Sequence, residues 1–400
     1  MGYPFTVADV AFLGSAEGRA ALSAVAELPL TPDSYLADVG RARAVAGERY
    51  AAVLETVLLR RRAGTKLAGA ADWLCTDDAL QQATATPVAE HRAARLAGRD
   101  VHDVTCSIGA DLIPLARTAR RCLGSDLDPV RLAMARHNAA VAGVAPLLVR
   151  ADALHPVSRG AVVVADPARR SAGGRRVWRP TDFVPPLDQL AEAHRGADLV
   201  VKCAPGIDFA VAPWAGEVEL VSLDGQVREA SLWSGGLTEP GVRRRASVLR
   251  TREPGPDGPH WTLVDAVTDA EPDDCPVRRP GEWLVDPDGA VVRAGLVRQY
   301  AARHGLGQLD EHIAYLTGDR PPPGIRAFRV LDHGHYSEKA LRGELRRRQV
   351  GAVEILVRGL DVDPNALRRR LRPTGPAALS VVLTRIGHRP TMLLCQPERT

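Results

Sequence analysis

Val101-His102-Asp103-Val104-Thr105-Cys106-Ser107-Ile108-Gly109-Ala110-Asp111 is an apolar strand running into a turn of small residues. Downstream, Gly124-Ser125-Asp126-Leu127-Asp128-Pro129 ends a second strand and opens a helix from Arg131 to Val141 that closes near Gly143. Leu147-Leu148-Val149-Arg150-Ala151-Asp152 gives a third strand, and Val162-Val163-Val164-Ala165-Asp166-Pro167-Ala168-Arg169-Arg170 a fourth. Strand, tight turn and helix repeated in this way predict an α/β, Rossmann-like fold with a doubly wound parallel sheet. Ligands of such sheets bind at the carboxyl ends of the strands.

Each of the four turns ends on chemistry suited to a ligand. Small residues after the first strand let the backbone approach a bound molecule closely. Asp126 closes the second strand, where a carboxylate can accept two hydroxyls, and Asp152 closes the third. Asp128 reads as the cap of the next helix, because Pro129 takes the first helical position. A nicotinamide-binding reading needs Gly-x-Gly-x-x-Gly, which Ser107-Ile108-Gly109-Ala110-Asp111-Leu112 does not supply. It also leaves Asp152 and Asp166-Pro167 without a job.

These four turns resemble the motifs of class I S-adenosylmethionine (SAM)-dependent methyltransferases. The resemblance implies a seven-stranded sheet and a SAM seat. The seat is built from Asp103, Thr105, Ser107, Gly109 and Asp111 in the first turn, Asp126 on the ribose, Asp152 and Ala153 at the adenine, and Asp166. One departure is Ser107, which stands where the family usually carries the first glycine of Gly-x-Gly.

Four hundred residues suffice for two or three domains with a sizeable core. No apolar run approaches a membrane span, and no charged-then-apolar export signal is seen at the N-terminus. Six scattered cysteines show no zinc-like pairing and no metal site is expected, so reduced thiols in a cytoplasmic protein are the expectation. The chain holds 49 Arg but only three Lys, at 66, 202 and 339. Arginine runs therefore carry less weight, and each lysine more. Residues 320–400 contain 16 Lys+Arg against 7 Asp+Glu, whereas the rest of the chain is mildly acidic. A basic module on an acidic enzyme points to nucleic acid, the plain alternative being solvated helix faces.

Residues 1–86 read as helical, with Val39, Ala42, Ala46, Tyr50, Val53 and Val57 forming one stripe and prolines at 29 and 32 as breaks. Arg60-Arg61-Arg62 and Lys66 suit either phosphates or a solvated helix end. Residues 87–252 hold the sheet, continuing through Ala197–Cys203 and ending in a hairpin around Asp224-Gly225. Residues 253–319 read as loop, linker and a helical connector from Ala290 to His304. Residues 320–400 follow the order β-α-β-α-β-β, which resembles THUMP-like domains and implies binding of RNA (tRNA or rRNA).

Asp166-Pro167-Ala168-Arg169 stands where amine methyltransferases carry Asp/Asn-Pro-Pro-Tyr. There the acid or amide and a backbone carbonyl accept from a planar amino group, favouring the pyramidal nitrogen of the transition state. Arg169 replaces the aromatic and can stack on a base or hold a phosphate. With Lys202-Cys203-Ala204-Pro205, the phrase is similar to uncharacterised bacterial THUMP-like methyltransferases over roughly residues 40–396. It is more distantly similar to trimethylguanosine synthase-like RNA enzymes. These resemblances place Asp166, Pro167, Arg169 and Lys202 at the catalytic centre. The alternatives are a C5-pyrimidine methyltransferase with Cys203 as nucleophile, activated beside Lys202, and a non-catalytic RNA-binding protein.

Overall fold

The computed structural model describes residues 2–64, 66–169, 183–252 and 261–399. The chain divides into two compact units: residues 1–218 with 228–238 and 251–261, and residues 219–227 with 239–250 and 262–400.

The N-terminal helices are α1 (Val7–Gly14), α2 (Ala16–Ala26), α3 (Tyr35–Ala46), α4 (Tyr50–Ala63), α5 (Asp77–Gln82) and α6 (Thr86–Arg95). Thr6 and Asp9 form a reciprocal capping box that starts α1. The apolar stripe expected as one run is split between α3 and α4, because Gly47 takes φ +54° and ends the first helix. Its residues still share one core: Ala42, Val53 and Val57 are buried together, with Val39, Ala46 and Tyr50 packed on them. That core also takes in Ile108, Ile113 and Met134, so the helices do not form a core of their own. The Arg60-Arg61-Arg62 run staples backbone: Arg60 donates to the carbonyls of Asp72 and Trp73, and Arg61 to those of Ala26, Leu28 and Pro29. Arg62 pairs with Asp77.

The sheet begins with β1 (Asp100–Asp103), α7 (Leu112–Thr118), β2 (Arg121–Asp126), α8 (Pro129–Val141), β3 (Leu147–Arg150) and β4 (Val162–Ala165). A short ribbon, β5 (Ala168–Arg169) with β6 (Phe183–Val184), precedes α9 (Leu187–Ala193) and β7 (Leu199–Cys203). Then come β8 (Ala215–Leu223), β9 (Gln226–Ser234), β10 (Arg244–Thr251) and β11 (Trp261–Thr268). The order is β3-β2-β1-β4-β7-β9-β8-β10-β11, in which β3 through β7 are parallel and β9 runs antiparallel to β7. The first seven strands have the expected doubly wound arrangement, with its order reversing beside β1. Two strands more than expected extend it, and β11 lies in the stretch read as loop. Pro, Gly and Asp on either side of Trp261–Thr268 masked its β-branched alternation.

Gly124 in β2 is a packing glycine. A Cβ there would stand 2.7 Å from Leu112 Cδ2 and 3.0 Å from Leu148 Cδ2. Gly124→Ala is expected to cost about 1–3 kcal/mol by overpacking, measured as a lowered midpoint of thermal unfolding; an unchanged midpoint would show that Leu112 yields freely.

The remaining elements are β12 (Trp283–Val285), α10 (Gly289–Ala294), α11 (Val297–Arg303), β13 (Gly307–Asp310), β14 (Ile313–Gly318), β15 (Arg326–His335), α12 (Glu338–Arg347), β16 (Val350–Arg358), α13 (Pro364–Leu371), β17 (Ala377–Ile386) and β18 (Arg389–Arg399). The β-α-β-α-β-β order of the last six is as expected. Ser337 caps α12 through the Ala340 amide, and Asp363 caps α13 ahead of Pro364. The expected connector helix is two helices, interrupted by Gly295 at φ +71°. The linker reading of 253–319 is corrected further by β12, β13 and β14. They join one seven-stranded sheet, ordered β13-β14-β12-β15-β18-β17-β16, around Leu284, Tyr315, Phe328 and Leu393.

Candidate active site

The carboxyl ends of β1, β2, β3 and β4 open onto a cavity of about 780 Å³ within the first unit. Asp103, Thr105, Ser107, Asp111, Asp126, Asp152, Ala153 and Asp166 all line it, so the four turns do converge. Gly109 and Pro167 shape the adjoining backbone: Gly109 takes φ +92°, and Pro167 is buried. Arg169 pairs with Phe183 through its backbone, its side chain and Arg170 lying outside the described residues.

The first turn is tied down at several points. Ser107 adopts φ +47°, a conformation natural to the glycine it replaces. Its amide donates to Asp126 Oδ2 at 2.9 Å, while the Asp128 amide donates to Asp126 Oδ1 at 2.9 Å. Asp128 caps α8 as expected, accepting from the Val130 and Arg131 amides. Asn138, fully buried on α8, donates to the carbonyls of Leu74 and Ile108 and accepts from the Leu74 amide. No sequence signal distinguished Asn138 from any other polar residue on a helix.

Carboxylates dominate the wall. Asp103 is 3 % exposed and accepts only the Thr105 amide, at 3.2 Å, among the described residues. Burial, together with the negative charge of Asp111, Asp166 and Asp126, pushes its carboxyl well above the usual range. Asp111 is different: it accepts from Thr84 Oγ1 at 2.7 Å and pairs with Arg92, and these cations and donors outweigh burial and lower its pKa. Arg92, on α6, also pairs with buried Glu229. Thr84, Gln82 and Arg92 were missed in the sequence because they lie at the end of α5, in the connector after it and on α6, with no spacing in common.

At the third turn, Asp152 Oδ1 accepts the Leu154 amide at 2.9 Å. The Ala153 carbonyl is 2.8 Å from His194 Nε2. Beneath it, His102 bridges Ser125 and Ser158, and burial depresses its imidazole to about 4, so the ring stays neutral. At the fourth turn, the Asp166 amide donates to Thr105 Oγ1 at 2.7 Å. Asp166 Oδ2 meets Lys202 Nζ at 2.5 Å. Burial alone would lower the Lys202 ammonium, but Asp166, Asp111 and Glu229 overcome this and raise its pKa, so it is a fixed cation. Cys203 follows Lys202 on the strand; alternation turns its side chain to the other face, and it is 4 % exposed.

An open α/β sheet with an acid-rich cavity at its switch point defines a class of enzymes, and comparison with known proteins gives the family. The chain is 55 % identical over 370 residues to uncharacterised S-adenosylmethionine-dependent methyltransferases of two Mycobacterium tuberculosis strains, CDC 1551 / Oshkosh and ATCC 25618 / H37Rv. The match covers 89 % of this chain and all of theirs. The chain belongs to the S-adenosylmethionine-dependent methyltransferases. Residues 325–397 match the THUMP domain-like family and residues 6–63 a domain of unknown function, DUF8688. The fold is shared with the crystal structure of a candidate methyltransferase from Porphyromonas gingivalis W83. That match has a TM-score of 0.70 at 19 % identity and covers 92 % of this chain and 99 % of that one.

The cofactor is therefore S-adenosylmethionine, and the cavity suits it. Six aspartates face it against two arginines in its lining, an excess that favours a ligand carrying ammonium and sulfonium charges. Among the described residues no cluster of His, Cys, Asp and Glu is arranged to hold a metal ion, and no helix is long and apolar enough to cross a membrane.

Proposed function

We propose that this methyltransferase acts in the cytoplasm on a base nitrogen of RNA, either tRNA or rRNA. The observation that carries the reading is Asp166, a carboxylate held by Lys202 at the end of β4, on the wall of the cofactor cavity. Bound SAM supplies an electrophilic methyl group. Asp126 takes the ribose hydroxyls, Asp152 and the Ala153 backbone the adenine, and Asp103 with the first turn the amino-acid end. Asp166 Oδ1, which has no hydrogen bond among the described residues, and the carbonyl of Pro167 accept from the acceptor's amino group. They favour the tetrahedral nitrogen formed as its lone pair attacks. Lys202 holds Asp166 in place, and Arg169 packs on or pairs with the nucleotide. The test is mass spectrometry of nucleosides in RNA from cells lacking the protein. One methylated nucleoside should vanish and return with the wild-type gene; an unchanged profile would remove RNA as the acceptor.

The C5-pyrimidine alternative requires an accessible thiolate at Cys203, and its burial on the face away from Lys202 argues against it. Cys203→Ser is expected to keep its methylation rate within a few-fold, since no covalent adduct forms. Loss of all activity in that variant, with trapping of 5-fluoropyrimidine RNA by the parent, would reinstate the thiol.

The THUMP domain-like match supports RNA as the partner, and α12 with α13 supplies the basic surface. The two helices are joined through Glu338, which accepts from both Arg342 and Arg370. Many arginines of this module are neutralised: Arg326 by Glu354, Arg347 and Arg348 by Glu344 and Asp332, Arg358 by Asp286. Lys339, Arg346, Arg369 and Arg372 are exposed and carry no ion pair among the described residues. Replacing these four by alanine should lower the salt dependence of RNA binding by up to about four phosphate contacts. An unaltered salt slope would place the RNA surface elsewhere. Cutting the chain at Pro321 is a poorer test, because it would part β15 and β18 from β12 and β14.

A further inference from the structure

Two of the three lysines in the chain meet at the end of one short helix. Lys66 Nζ donates to the carbonyls of Leu80 at 3.0 Å and Gln81 at 2.8 Å. Lys202 Nζ donates to the next carbonyl, Gln82, at 3.4 Å, and to Asp166. Consecutive carbonyls at the C-terminus of α5 thus gather two ammonium groups beside the residue that closes β4. Gln82 and Asp166 both line the cofactor cavity, so the pair stands at its acceptor side.

In a chain with 49 Arg, this concentration of lysine needs a reason. A planar guanidinium engages acceptors as a flat fork, whereas an ammonium is a compact charge with three tetrahedral donors. Each ammonium here uses two of its three donors within the protein, leaving one apiece. Arg228 on β9 is exposed, has no ion pair among the described residues, and is close enough to act on Lys66 electrostatically. Burial first, and then Lys202 and Arg228, lower the Lys66 pKa against a smaller opposing effect of Asp166, so an anion arriving here would relieve the remaining repulsion.

We infer that Lys66 and Lys202, with Arg228 adding positive charge from β9, form a seat for a phosphate of the nucleotide acceptor, next to the group that Asp166 engages. This rests on the reading of the acceptor as RNA. It gives that reading a recognition element at the catalytic unit, independent of the basic helices. The seat fixes the backbone on one side of the acceptor base, and Asp166 fixes the amino group on the other.

The full-length protein saturated with S-adenosylhomocysteine should bind inorganic phosphate saturably, followed by phosphorus NMR line broadening. Lys66→Gln should weaken this about tenfold, as expected for loss of a charge-assisted partner, and Arg228→Gln by a smaller, salt-dependent factor, each with S-adenosylhomocysteine affinity by calorimetry within twofold of the parent. Lys66 also caps α5, so Lys66→Gln will lower thermal stability; Arg228 lies exposed on a strand and tests the seat without that complication. The same variants should weaken binding of a short mixed-sequence single-stranded RNA. Unchanged phosphate affinity in both variants would overturn the seat and leave Lys66 as a helix cap alone. Weaker phosphate binding with unchanged RNA binding would assign the seat to a phosphorylated small molecule and overturn the nucleotide assignment. An unchanged nucleoside profile in cells lacking the protein would instead count against RNA methylation, and the phosphate result would stand apart from it.

Discussion

Asp166→Ala is expected to lower the methylation rate about 10²–10³-fold while leaving SAM affinity nearly intact. The estimate is that for removing one preorganised hydrogen-bonding partner from a reacting centre. The effect is expected to be confined to transfer because Asp166 meets the cofactor cavity at the end of β4, whereas the turns proposed for the ribose and adenine follow β2 and β3. Lys202 complicates the experiment. Its side chain is only 14 % exposed, and losing the carboxylate leaves its charge buried with Gln82 as its remaining partner. The double variant Asp166→Ala, Lys202→Met removes that stray charge. If the double variant recovers the parental rate, Asp166 serves only to neutralise Lys202. If both stay slow with normal SAM binding, the carboxylate acts on the acceptor.

The four turns that line the cavity were legible because their determinants are local. A strand that ends on a small-residue turn, an acid after the next strand and a Pro at a helix start each fit within a dozen residues. Asp128 capping α8 and Asp363 capping α13 follow from such windows. The acceptor side was legible only in part. Lys202 was singled out by its rarity, but its link to Lys66 joins residues 136 positions apart through the end of a helix that neither belongs to. Arg92, Thr84 and Asn138 reach the site by the same kind of long-range packing, and nothing in their neighbouring sequence announces it. Strand existence failed between 253 and 319, for very short strands and for the eight-residue Trp261–Thr268 alike. Trp283–Val285 is three residues long and Gly307–Asp310 four, too short for alternation to rise above the surrounding loops. The linker assigned to 253–319 was therefore drawn from composition, and composition does not report sheet pairing.

Asp126→Ala should lose about 2–3 kcal/mol of SAM affinity, the scale for removing a charged hydrogen-bonding partner. Two effects contribute, and they can be separated. In the proposed seat the carboxylate accepts the ribose hydroxyls; it also accepts the amides of Ser107 and Asp128, one on each oxygen. Without it, Ser107 loses a partner that helps hold a non-glycine residue at φ +47°, and the first turn is free to relax. Asp126→Asn retains the shape but turns one oxygen into a donor facing an amide donor, so it should not restore binding. Ser107→Gly removes the strain while keeping the carboxylate, and should leave affinity within about threefold. Combined with Asp126→Ala, it should recover the part of the loss that came from the turn, leaving the ribose share. Calorimetry on the four variants decides the matter: parental SAM affinity in Asp126→Ala would move the ribose off this residue altogether.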